Sequence, residues 1–351
     1  MLWNYYSNTV HLREKMALAI IFRKNIKIIN IRKNKKNKGL QNFEIDILSL
    51  IDKFIRGSII KINEGGTVVV FYPGKIENRK INHRIQSLRP ISYYLEFILY
   101  ILLISKNRNE VKLLGIRSLN LDTSFENVLY VTIPLLRKFG LQNIRFKIFS
   151  NTSSSLINTE LVLFFPIMKI NDKTLHLINL GIVNKIRIIN TYVSKNAWKK
   201  KNVEDFFTKF ALPHGFNLKI LDLKINNKYF NFQTLSLIAE TTQGCIFGED
   251  ITSYYKKYKS IDWKDVLSKL IVSFFDDIIA GNCIDKKNHI FLFLNMLYRM
   301  LAGKKYTIPI VCLGKLSISD IKFFRDLKKL TGFFFLIRYH VLARLYTLKL
   351  P

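Results

Sequence analysis

Arg325, Asp326 and Lys328 are the residues of this chain whose types and spacing could act on a phosphodiester. A carboxylate there could polarise a ribose hydroxyl while the neighbouring cations steady a phosphorane. A plainer use competes. Asp326 stands four residues after Lys322 and three before Lys329, so an ion-pair network along a helix face explains the carboxylate, and we adopt that reading for it. Ser319 falls seven residues before Asp326. Its hydroxyl is a poor nucleophile at neutral pH without an activating base, and no histidine lies near it in the sequence.

The element that must position these residues starts at Leu316. Ser317 and Asp320 have the spacing of a capping box, which predicts a helix start. Helical periodicity then puts Ile321, Phe323, Phe324, Leu327 and Leu330 on a buried side, with Lys322, Arg325, Asp326 and Lys329 on the wet side. Strand-like Thr307–Cys312 before it and Gly332–Ile337 after it complete a strand-helix-strand unit.

A second polar candidate is the run from Arg32 to Lys38, in which Lys33, Lys35 and Lys36 form a basic loop. Such a loop serves as a solvated connector or as an RNA contact, and the sequence favours neither. Charge over the whole chain speaks more clearly. Lys and Arg number 56 against 25 Asp and Glu, a net charge of +31, which points to nucleic acid or another polyanion. The rival explanation is coding drift, since abundant Ile, Asn and Lys are what AT-rich coding produces.

Other groups fit structural roles. The six histidines (His11, His83, His176, His214, His289 and His340) show no metal-ligand spacing. Asp285 is most simply a helix N-cap ahead of His289. Asp276 and Asp277 are adjacent, so they do not share a helix face, and no metal site is expected. Tyr93, Tyr94 and Phe97 could stack bases but sit at the helical spacing of a core. Cys245, Cys283 and Cys312 form no CxxC pair and read as buried thiols of a reducing compartment. The apolar run Leu95–Ile104 carries Glu96 and is shorter than the ~20 residues of a spanning helix, so no membrane is expected. With 49% apolar residues the chain belongs with globular rather than disordered proteins, and the thiols and the short apolar run lead us to expect a soluble intracellular one.

The fold class expected is α/β (α+β). The segments His11–Phe22, Ile26–Ile31, Phe43–Ile55, Ser58–Ile62 and Thr67–Tyr72 read helix, strand, helix, strand, strand, the last two joined as a hairpin at Glu64-Gly65-Gly66. The order returns in Ile91–Ile104, Glu110–Ile116, Ser124–Phe139, Asn143–Phe149 and Glu160–Pro166. A third pass runs through Lys264–Ile279, Lys286–Met300, Thr307–Cys312, Ser319–Leu330 and Gly332–Ile337. Three such units at 1–180 and 261–351 would build a large domain. A small α/β insert at 181–260 would carry strands at Lys185–Thr191, Asn217–Lys224 and Leu235–Thr241 and a helix at Asn202–Phe210.

Several separated segments resemble one family. They are His11-Leu12-Arg13 through Lys27-Ile28, Ile91-Ser92-Tyr93-Tyr94-Leu95-Glu96, Asp122-Thr123-Ser124, Pro134 to Gly140, Ala239 to Cys245, Gly281 to Asp285, and Arg325 to Lys328. Together they resemble the RNA 3'-terminal phosphate cyclase-like proteins of eukaryotic ribosome assembly, from about His11 to Ile337. The resemblance implies three βα repeats with a small domain inserted before the last. It also implies a non-catalytic assembly factor of the small ribosomal subunit, working in the nucleus and nucleolus on early pre-rRNA processing. Its partners would be a ribosome-biogenesis GTPase, pre-rRNA and a small nucleolar ribonucleoprotein within the small-subunit processome, with no cofactor.

In the true cyclases of that superfamily a histidine in the first turn of the last long helix takes up AMP, at a helix N-terminus suited to phosphate. Ser319 stands in its place here. The cyclases' glycine-rich segments correspond to Tyr6-Ser7-Asn8-Thr9-Val10 and Leu156-Ile157-Asn158-Thr159-Glu160, neither of which holds a glycine. Cyclase chemistry is therefore not expected. The rival kept open is a pre-rRNA endonuclease using Arg325, Asp326 and Lys328.

Overall fold

Short strands rich in Ile, Val and Phe alternate with helices whose apolar residues recur every three or four positions, and the chain folds as a mixed α/β protein. The computed structural model describes residues 4–77, 80–103, 105, 107–117, 122–141, 143–150, 159–166, 177–193, 200–211, 217–224, 232–254, 263–301, 310–340 and 345–349.

The N-terminal part runs β1 (Asn4–Ser7), α1 (Leu12–Phe22), β2 (Ile26–Ile29), α2 (Asn42–Phe54), β3 (Ile55–Arg56), β4 (Ile59–Ile62), β5 (Val69–Tyr72) and β6 (Lys75–Ile76). Next come β7 (Lys80–Arg84), α3 (Ile91–Leu102), β8 (Asn109–Gly115), α4 (Phe125–Asn127), a π turn (Val128–Thr132), α5 (Ile133–Lys138), β9 (Arg145–Ser150) and β10 (Thr159–Phe165). Their main sheets, β1-β2-β5-β4 and β7-β8-β10-β9, share one plan: a parallel first pair, then two antiparallel pairings. The expected helix from Ser124 to Phe139 is thus helical between its ends but widened once by the π turn, with Gly140 (φ 101°) past its end.

A separate sheet, β12-β11-β13-β14, is built from β11 (Val183–Tyr192), α6 (Lys200–Ala211), β12 (Asn217–Lys224), β13 (Phe232–Thr241) and β14 (Ile246–Tyr254). It is tied to α4 by Asp250, which accepts from the Ser124 amide at 2.8 Å and from Asn127 Nδ2 at 3.0 Å. The remaining elements are α7 (Trp263–Ile279), a 3₁₀ turn (Lys286–Asn288), α8 (His289–Leu301), β15 (Val311–Leu313), α9 (Ile318–Thr331), β16 (Leu336–His340) and β17 (Leu345–Lys349). In this last sheet β17 lies between β15 and β16, antiparallel to both. Leu177 adds a parallel bridge on the free side of β15.

The core sits among α1, α3, α8 and α9. Helix α3 is buried on every side, as its all-round apolar sequence demands. Its one acid, Glu96, is neutralised by Arg13 at 2.7 Å. Among the described residues no helix is long and apolar enough to cross a membrane, and no group of three or more His, Cys, Asp or Glu could hold a metal. The three cysteines are free and buried, and Asp285 is an N-cap, accepting from the Asn288 amide at 3.0 Å. Tyr93, Tyr94 and Phe97 are core residues, not an exposed base platform.

Two expectations need correction. Ile321 does not join the buried side of α9: it is 46% exposed, whereas Phe323, Leu327 and Leu330 carry the packing. The strand after α9 begins at Leu336, not Gly332. Gly332 is the left-handed C-cap (φ 79°), and Phe335 first turns inward against Phe293 and Phe324, with ring centroids 5.4 and 5.1 Å away. Of the expected strand Thr307–Cys312, residues 307–309 lie outside the described residues.

Candidate functional site

Helix α9 opens as the capping box predicts. Ser317 Oγ accepts from the Asp320 amide at 3.1 Å, and Asp320 Oδ2 accepts from the Ser317 amide at 2.6 Å. The Asp320 carboxylate is buried and also meets His289 Nδ1 at 2.9 Å. Free amides at a helix start would attract phosphate. Here an internal anion already occupies that end. Ser319 is exposed beside it, and no base appears among its hydrogen-bonding neighbours in the described residues.

Asp326 differs from the wet-face residue expected from spacing. It is half-buried, because β1 and the start of α1 pack along its side of α9. The Tyr6 hydroxyl donates to the Asp326 backbone carbonyl at 3.2 Å. Two ammonium groups flank the Tyr6 ring: Lys15 Nζ and Lys329 Nζ each lie 5.1 Å from its centroid. Lys329 donates to the Tyr5 carbonyl rather than to Asp326, and Lys15 donates to the Val10 carbonyl at 2.7 Å. Among the described residues Asp326 forms no ion pair, so the expected network with Lys322 and Lys329 does not exist. Burial pushes its carboxyl above the usual range, with nearby Lys15, His11 and Lys329 pulling it back. Burial likewise lowers Lys15 and His11. Arg325 and Lys328 remain exposed on the other faces of the helix.

His11 caps α1 with a left-handed backbone (φ 59°) and lines a cleft of about 400 Å³ with Thr9, Arg13, Arg32, Arg89 and Tyr93. The cleft is rich in arginine, but each guanidinium is already claimed. Arg13 pairs with Glu96 at 2.7 Å, Arg32 with Glu44 at 2.5 Å and Arg89 with Asp122 at 2.6 Å. Arg13 and Arg89 also lie over the Tyr93 ring, 4.1 and 5.1 Å from its centroid. A phosphate entering here would have to displace carboxylates from fitted partners.

The basic loop behaves as two parts. Arg32 turns inward to Thr9 Oγ1 (3.2 Å), the Gly39 carbonyl (3.0 Å) and Glu44, while Lys33, Lys35 and Lys36 are exposed. Segment 4–13 therefore touches both the loop's foot and the Asp326 side of α9. Tyr6, His11 and Lys15 as neighbours of Asp326 could not be found from spacing, since more than 300 residues separate them in the chain. Of the segment 156–160 expected to stand where the cyclases carry their second glycine-rich stretch, residues 156–158 lie outside the described residues.

The sequence model of the RNA 3'-terminal phosphate cyclase family matches residues 7–335, and the chain belongs to that family. Within it, the chain is 26% identical to a probable RNA 3'-terminal phosphate cyclase-like protein of Dictyostelium discoideum, covering 95% of this chain and 92% of that one. It is 27% identical to the human RNA 3'-terminal phosphate cyclase-like protein, over 92% of this chain and 87% of that one. The rRNA processing protein rcl1 of Schizosaccharomyces pombe is 25% identical over 91% of this chain and 88% of its own length.

Proposed function

We propose that this chain is a non-catalytic assembly factor for the small ribosomal subunit, acting in early pre-rRNA processing in the nucleolus. Its partners would be a ribosome-biogenesis GTPase, pre-rRNA and a small nucleolar ribonucleoprotein of the small-subunit processome. In this reading residues 1–180 and 261–351 form the body and 181–260 an inserted domain. One observation carries the non-catalytic part: the helix end where a nucleotide would be taken up is filled by Asp320, with Ser319 in the nucleophile's place. Relatives named for rRNA processing support the pre-rRNA part of the reading.

Incubation with labelled ATP and a divalent ion should leave the protein unmodified by mass spectrometry. A nucleotide adduct on any residue defeats the proposal. Sedimentation of the tagged chain from cells should find it with pre-rRNA and a GTPase, and a chain that migrates alone would count against it. In the same assay the double change Arg325→Ala with Lys328→Ala should weaken incorporation, as it removes two of the four exposed cations of α9.

A second reading, an endonuclease using Arg325, Asp326 and Lys328, draws on the half-buried, unpaired Asp326 beside His11 and Lys15. Metal-free cleavage of a pre-rRNA fragment, lost in Asp326→Ala, would establish it.

A further inference from the structure

The outward face of the β7-β8-β10-β9 sheet takes no part in the site above. Strand register sets its side chains in three rows across four strands. Lys80, Glu110, Phe164 and Arg145 form the first row, and Asn82, Lys112, Val162 and Lys147 the second. Arg84, Leu114, Glu160 and Phe149 form the third. Apart from Val162, which its neighbours cover, all of these side chains reach solvent at least in part.

Five cations share this face with two carboxylates, and both carboxylates are already neutralised: Lys80 pairs with Glu110 at 3.1 Å and Lys112 with Glu160 at 2.8 Å. Arg84, Arg145 and Lys147 are left over, and among the described residues they form no ion pair. Arg108 stands just off the first row and lines, with Lys80, Arg145 and Phe164, an open groove of about 720 Å³. Two aromatic rings lie among these charges. Phe149 is 47% exposed, and Lys147 Nζ sits 5.9 Å from the Phe164 centroid.

We propose that this sheet face binds single-stranded RNA, with phosphates against Arg84, Arg145 and Lys147 and unstacked bases on Phe149 and Phe164. Uncompensated cations attract a phosphate backbone, and rings on an open sheet offer stacking platforms that only unpaired bases can use. An acidic protein segment would satisfy the cations but leave the rings in water, so RNA is the better match. The proposal rests on the reading that the chain works on RNA, and it adds the place and the form of RNA bound.

The test is fluorescence anisotropy of the full chain with a labelled oligouridine of roughly 12 nucleotides and a duplex of equal length, over a range of salt. The single strand should bind more tightly than the duplex. Arg145→Glu with Lys147→Glu should weaken binding about ten-fold or more and reduce the salt slope by about two. Phe149→Ala with Phe164→Ala should cost about five-fold or more while leaving the slope unchanged. The conservative pair Arg145→Lys with Lys147→Arg should bind like the parent, and melting curves of all variants report their folding.

Unchanged affinity and slope in both sheet variants overturns the proposal. If Lys33→Glu with Lys35→Glu and Lys36→Glu alone abolishes binding, the sheet proposal fails and the RNA reading stands. A parent chain that binds no RNA removes both. Equal affinity for an oligoglutamate peptide, with no effect of the phenylalanine changes, assigns the face to an acidic protein instead and overturns the proposal.

Discussion

Sheets β1-β2-β5-β4 and β7-β8-β10-β9 have the same strand order and sense, yet their two faces obey different rules. Inward, both are mainly apolar: Ile26, Ile28, Val69 and Phe71 in the first, Ile81, Val111, Leu113, Leu161 and Leu163 in the second, where His83 is the polar exception on β7. Outward they diverge. The first shows Tyr5, Lys27, Val70 and Lys61 in one row and Tyr72 opposite Ile59, with Lys27 lying 5.7 Å from the Tyr5 ring centroid. Its cations are two, against five on the second. The comparison separates what packing demands from what is free to vary. A one-residue slip would turn every inward side chain to water, so the inward set is tightly specified and the outward set can specialise.

The largest expected effect concerns the shared inward face. Phe71→Ala in β5 and Leu163→Ala in β10 should each destabilise by about 2–5 kcal/mol in urea unfolding, the usual cost of a core cavity. If one sheet tolerates its change and the other does not, the two cores are not equivalent.

Next is a pH effect confined to the second sheet. His83 on β7 is buried with neither ring nitrogen hydrogen-bonded, and burial lowers its pKa from 6.5 to about 4, helped by Lys53. The unfolded chain therefore takes up this proton first. Its share of stability is full above about pH 6.5 and is lost as pH falls through about 4, a span of at most ~3 kcal/mol. Melts across that range should flatten in His83→Leu. A variant with the parent's acid profile would show that other groups set it.

Smaller again is the difference between the outward faces. Lys27→Glu with Lys61→Glu should leave RNA affinity near that of the parent, whereas the ten-fold loss expected of Arg145→Glu with Lys147→Glu corresponds to about 1.4 kcal/mol. Equal losses would mean that net charge alone governs binding. The smallest effect belongs to the exposed pair Lys80–Glu110. A double-mutant cycle of alanine changes should return a coupling below about 1 kcal/mol. A larger value would make the pair a fixed part of the face.

What was readable in the sequence follows from where the determining interactions lie. The start of α9 was legible because its capping box is local, made by residues three apart. Helices α2 and α3 were legible through their apolar periodicity. Strands β1 and β7 were not, since Asn-Tyr-Tyr-Ser and Lys-Ile-Asn-His-Arg hold too few apolar residues to announce a strand, and pairing with β2 and β8 decides them. Strand β14 was missed because Gly248, Glu249 and Asp250 interrupt its apolar pattern. At the site, the identity of Ser319 was plain, but the burial of Asp326 depends on Tyr6 and Lys15 at the far end of the chain. The bridge between Ile246 and Ile284 places Cys245 beside Cys283, a neighbourhood that their wide sequence spacing conceals.

The position of β17 also has a consequence for how the molecule is made. Because β17 pairs on both sides, with β15 and with β16, neither of those strands can complete its ladder until residue 349 has left the ribosome. During synthesis Phe323, Phe324 and Phe335 can gather on Phe293 early, but the sheet that flanks them has a vacant centre. Its two unfilled edges are templates for pairing with any other extended chain. Until β17 emerges the nascent chain thus keeps these two strand edges open to wrong pairing, and a chaperone that covers them would act in that interval.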